Sequence, residues 1–182
     1  MDTNLFGEEV KDYEDIVRDE LLTYDKTSFE DRLARLRYVN TIFPHGQREF
    51  ASDESVAIFH ETITCFINCQ FIATIVLAQS FIERRFQEYF SMRLNQDERA
   101  KQTLYKLLEG FRNDGFIDEF LIDKIDTLRL KRNPFVHHRD INDKNAFRNR
   151  ANAAKVNVNE LLEQDAKDAL TVMFGIAKFR AF

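Results

Sequence analysis

A chain of 182 residues is long enough for one ordinary domain and short for two, and its 44% hydrophobic and 31% charged residues are close to average globular usage. Five glycines and two prolines are too few for the frequent turns of an all-β sandwich or barrel, so the expected fold is all-α. The net charge of −5 argues against a general nucleic-acid coat, and 18 Phe with no Trp shows where the large core side chains come from.

The first 31 residues hold eleven Asp or Glu against three Lys or Arg, a net charge of −8 that reads as a solvated helix face. Acidic residues stand where an export signal needs basic ones, so a cytoplasmic chain is expected. In "TSFEDRLARLRYVNTIF", Thr27 and Glu30 have capping-box spacing, and Phe29, Leu33 and Leu36 follow at helical intervals. The spacing predicts a short amphipathic helix beginning at Thr27. "PHGQREF", from Pro44, reads as a loop.

From Ser52 or Asp53 to about Leu94 the pattern predicts one very long central helix, roughly sixty ångströms at about 1.5 Å per residue. Its middle, Thr62 to Ala78, is 17 residues without a formal charge. Asn68 and Gln70 interrupt that run and charged residues crowd its ends, so it reads as a buried spine rather than a membrane span. Cys65 and Cys69 fall four apart on one helical face, a spacing unsuited to a disulfide. Asn95 with Glu98 starts a further helix that carries Leu104, Leu107, Leu108 and Phe111 and stops at "RNDG". Phe116, Phe120, Ile125 and Leu128 form the inner stripe of the next. "DINDKNAFRNRANAAKVNVN" reads as a long polar loop, and a last helix from Asn159 closes an up-and-down bundle.

One segment departs from the acidic background. Residues 129 to 150 carry Arg129, Lys131, Arg132, Arg139, Lys144, Arg148 and Arg150 against Asp140 and Asp143, a net +5 inside a chain of −5. A polyanion such as RNA would be drawn there, although the patch could equally meet the acidic N-terminal region. His137 and His138 lie within it. Imidazole can take a proton from a ribose 2′-hydroxyl or give one to a leaving 5′-oxygen, and a guanidinium fork suits the charge of a pentacoordinate phosphate.

Arg132 followed by Asn133, three further residues and His137 matches the motif of the HEPN family, and the chain resembles that family beyond the motif. "IATIVLAQSFIERRFQEYF" is similar to its central helix, "IDTLRLKRNPFVHH" to the helix that ends in the motif, and "EQDAKDALTVMF" to its final helix. The resemblance spans roughly Ser52 to Phe179. It divides the chain into an acidic helical extension over residues 1–50 and a HEPN-like helical bundle over 51–182, one compact unit overall.

The resemblance implies a two-fold homodimer with one Arg and one His from each protomer facing a shared cleft. Active members are metal-independent endoribonucleases that leave 2′,3′-cyclic phosphate ends. Many are toxins or antiviral effectors, found beside an antitoxin or nucleotidyltransferase partner. Others keep the fold as non-catalytic dimerising or recruiting modules. Carried onto this sequence, Arg132 would steady the phosphate, Asn133 would orient or bind it, and His137, or His138 within the permitted spacing, would be the acid or base. Arg129, Lys131 and Arg139 would attract the substrate, and Pro134 would kink or end the helix beside them. Glu83 is a candidate partner for Arg132. No cofactor is implied, and His60, Cys65 and Cys69 fall short of a four-ligand metal set and read as packing residues.

Overall fold

The computed structural model describes residues 12–44, 50, 52–93, 95–115, 117–138 and 140–178, and among them every regular element is helical. The first is the longest. α1 runs from Tyr13 to Ile42, because its residues contain no glycine or proline to stop it. The short helix expected from Thr27 is therefore only its second half, and the Thr27 hydroxyl donates to the Thr23 carbonyl at 2.8 Å instead of capping.

Only the C-terminal part of α1 enters the core. Val39 and Phe43 are buried, and the Phe43 ring stacks 4.4 Å from Phe174. Phe29 and Leu36, expected on the inner face, are exposed. From Tyr13 to Asp31 only Ser28 is even half-buried.

The long central helix is two helices. α2 (Asp53–Ile67) ends at Asn68, and α3 (Phe71–Glu88) begins after Cys69, whose φ of 64° is left-handed. Cys69 N–H donates to the Phe66 carbonyl at 3.1 Å and Gln70 N–H to the Cys65 carbonyl at 2.8 Å, the paired bonds of a Schellman ending built without glycine. The rod folds back on itself, and the Ser55 hydroxyl at the start of α2 reaches Glu88 at the end of α3 at 2.7 Å. Five residues of π-helix, Tyr89–Arg93, extend α3.

The helix expected from Asn95 is interrupted too. Asn95 sits at φ 53°, α4 is one turn (Asp97–Ala100), and α5 (Leu104–Asp114) follows Thr103 and ends at Gly115, which takes φ 65°. α6 spans Glu119–Val136 after Asp118, whose carboxylate accepts the Phe120 N–H at 2.7 Å. Phe120, expected inside, is exposed, with the Lys124 ammonium 4.3 Å above its ring, and Phe116 lies outside the described residues.

The polar segment after α6 contains a helix of its own, α7 (Phe147–Ala154). Asp140 and Asp143 each accept the N–H two residues on, at 2.8 Å, and Asn149 ties the two turns together through the carbonyls of Ile141 and Asp143. α8 (Val158–Ala177) starts one residue earlier than expected, after a full capping box between Asn157 and Glu160.

α3 is the central element, packed against α2, α6 and α8. The Phe-rich composition becomes the core: Phe59, Phe66, Phe81, Phe86, Phe90, Phe111 and Phe174 are buried. No helix among the described residues is long and apolar enough to cross a membrane.

Candidate functional site

The motif occupies the end of α6. Pro134 has no N–H for the Leu130 carbonyl, yet the helix continues two residues past it to Val136. Asn133 is buried, and its carbonyl accepts the His137 N–H at 2.9 Å. That bond caps the helix while His137 itself turns extended, with φ −132° and ψ 140°. Both imidazoles, His137 and His138, are exposed. Arg132 lies in the last turn, half-buried, and its Nε is shut off from solvent with no acceptor. Leaving a buried donor unmade costs about 1–3 kcal/mol, and Arg150 Nη1 is in the same state.

The surrounding cations are used differently. Lys131 Nζ lies 2.9 Å from Asp165 and 2.6 Å from Asp168, both on α8. Burial alone would lower this ammonium, but its hydrogen bonds to the two carboxylates outweigh that and hold it above the ordinary lysine value. Arg150, on α7, donates to both oxygens of Asp165 at 2.7 Å. Arg129 is fixed to Asp126 at 2.7 Å, with its guanidinium 5.5 Å from the Tyr105 ring centre.

Among the described residues, the basic patch thus meets acids of α6 and α8. Arg139 lies outside the described residues. Lys144 and Arg148 remain exposed. Glu83, the candidate partner of Arg132, makes no ion pair with it.

The acid that matters on α3 is one turn further on. Glu88 accepts hydrogen bonds from Ser52 and Ser55, meets Arg84 at 3.2 Å and lies 3.0 Å from Nη1 of Arg85, a residue with no exposed surface. Burial would raise Glu88, but the serine hydrogen bonds and Arg85 together hold it below the usual carboxylate range. This cluster clamps the start of α2 to the end of α3. Its sequence signal was the Arg85–Glu88 spacing in "IERRFQEYF", which fits a surface pair as well as a buried one.

Cys65 is buried and Cys69 exposed, both as free thiols, and burial followed by the neighbouring Glu61 carboxylate raises the Cys65 thiol. A concavity of about 870 Å³ between α4 and α5, with Arg99, Lys106 and Gly110 in its lining, contains none of the motif residues. A smaller one, about 260 Å³ between α6 and α8, has Leu128, Lys131 and Asp168 in its wall. Comparison with models of protein families, with curated proteins and with solved structures finds no match to this chain.

Proposed function

We propose that the chain is a metal-independent endoribonuclease of the HEPN type that works as a homodimer. One observation carries this reading. Arg129, Lys131 and Arg150 each meet a carboxylate, whereas Arg132, which makes no ion pair among the described residues, lies at the helix end that exposes His137 and His138. An anion-binding group and a proton-transfer group thus share one helix terminus.

In the proposed reaction one imidazole takes the proton of a ribose 2′-hydroxyl, and the 2′-oxygen attacks the adjacent phosphorus. The bond from phosphorus to the 5′-oxygen breaks, and an imidazole of the second protomer protonates the leaving oxygen. The products are a 2′,3′-cyclic phosphate and a free 5′-hydroxyl. Arg132 offsets the extra negative charge of the pentacoordinate phosphate. Asn133, being buried, orients the helix end.

The test is cleavage of single-stranded RNA in EDTA by the wild-type, His137→Ala and Arg132→Ala chains. Loss of cyclic-phosphate product in both variants supports the reading; equal rates in all three chains would sink it. Equal rates would leave the other branch of the resemblance, a non-catalytic module for a protein partner, which the neutralised state of Lys131 and Arg150 favours. A toxin role, with an antitoxin or nucleotidyltransferase partner, predicts growth arrest on expression that His137→Ala relieves.

A further inference from the structure

Half of α1 stands away from the bundle. Arg35 Nε donates to the Ile67 carbonyl at 2.9 Å, at the very end of α2, so α1 passes that end and continues outward. Residues Tyr13 to Asp31 form an arm about 28 Å long at about 1.5 Å per residue. A helix of that length without tertiary contacts is marginal in water. Yet this one carries an apolar stripe: Tyr13, Val17, Leu21 and Tyr24, with Tyr13 74% and Leu21 60% exposed. The stripe is in line with Arg35, Val39 and Ile42, the face by which α1 packs on the core, as the 3.6-residue repeat requires. From Asp12 to Asp31 the net charge is −6. A surface that covers the arm must therefore be apolar and basic.

The chain itself has such a surface. At the α6–α7–α8 corner Val136, Ile141, Val156 and Val158 are exposed, Ile141 by 80%, among the exposed cations Lys144, Arg148 and Lys155. The arm cannot reach this corner in its own protomer without breaking α1. A second copy can offer it.

The direction of the helices makes the exchange close. Tyr38 meets Lys167 and Phe43 meets Phe174, so α1 and α8 run the same way, and following α1 back along its arm leads toward the α8 N-terminus. That is where Asp165 holds Lys131 and Arg150. Arm and acceptor corner thus lie at the same end of the bundle. Two copies set end to end then exchange both arms at once in a closed two-fold pair, whereas arm and corner at opposite ends would give an open filament.

We propose that two copies of this chain associate by reciprocal arm exchange, the Tyr13–Asp31 arm of each lying on the Val136–Val158 corner of the other. Pairing of one arm with the other is disfavoured, because it brings two like charges of −6 together. The inference deepens the dimer part of the proposed function and is independent of its chemistry.

The test is the mass of the full chain by light scattering. Wild type runs at twice 21.6 kDa. Glu14→Lys/Glu20→Lys, which flank the stripe on the arm, and Lys144→Glu/Arg148→Glu on the corner, each fall to the single-chain mass with helicity unchanged, since all four side chains are exposed. Mixed one to one, the two variants recover the doubled mass, because the reversed arm now fits the reversed corner. A monomeric wild type, a corner variant that stays dimeric, or a mixture that fails to associate overturns the exchange. A monomer that still cleaves RNA strikes the exchange and the two-protomer form of the reaction but not the nuclease reading, and a dimer that does not cleave strikes only the chemistry.

Discussion

Asp165 on α8 receives both hydrogen bonds of the Arg150 Nη2 from α7, at 2.7 Å each, while only 1% of its side chain is exposed. The same carboxylate holds Lys131 from α6. One buried anion therefore fixes both flanks of the candidate site. Replacing it with Asn leaves two cations facing a neutral amide. Asp165→Asn should destabilise the fold by about 3–5 kcal/mol, as breaking a buried pair does. At roughly 2–4 °C per kcal/mol for a chain of this size, the melting temperature should fall by about 10 °C, which calorimetry would show.

Glu88 carries a pH dependence whose sign is defined. Its folded value lies below the ordinary 4.5, so its contribution is complete above that value and is lost as pH falls through the lower folded one. Glu88→Gln, which removes the carboxylate facing the fully buried Arg85, should cost about 3–5 kcal/mol near neutral pH. The stability gap between wild type and variant should narrow in urea titrations taken below the carboxylate range. A gap that stays constant from neutral to strongly acid pH would refute the clamp.

The two imidazoles are separable. His137 is tied to the helix end through its backbone, whereas His138 lies beyond that bond. Substituting the acid or base should lower cleavage by about 100-fold or more. His137→Ala should show that loss and His138→Ala should fall well short of it, measured as initial rates on one RNA substrate. The reverse order would move the role to His138.

Salt dependence reports how many cations are free to meet phosphates. Of the six described between Arg129 and Arg150, Arg129, Lys131 and Arg150 are held by carboxylates and, in the proposed exchange, Lys144 and Arg148 meet the second copy's arm, leaving Arg132. With about 0.7 counterions released per phosphate on single strands, the log–log slope of RNA affinity against salt should be no steeper than about −1 in the exchanged dimer and near −2 where the arm is displaced. A slope near −5 would mean that all seven cations of the segment bind RNA.

The all-helical class was legible because scarce glycine and proline leave little else, and Gly115 stopped α5 where the sequence says it should. Capping signals were less dependable. Asn157 and Glu160 form their box, but Thr27 and Glu30 have the same spacing in mid-helix, since nothing upstream interrupts α1. The break at Cys69 was invisible, because a left-handed cysteine has no signature of its own and only packing selects it. At the candidate site the pattern located Arg132, Asn133, His137 and His138. It could not show that Lys131 and Arg150 share Asp165, a partner 34 and 15 positions away.

The fold-back at Cys69 also bears on the order of assembly. An unbroken rod would have to find all its partners at long range, the last of them on α8. Folded in half, α2 and α3 form a hairpin closed by Ser52 and Ser55 on Glu88, contacts only 36 and 33 residues apart. Loop closure of that length carries a modest entropic cost, and local pairings of this kind form quickly. Amide protection in α2 and α3 ahead of α6 and α8 is the expected outcome of hydrogen-exchange labelling during refolding, since α3 of this hairpin is the surface on which α6 and α8 pack.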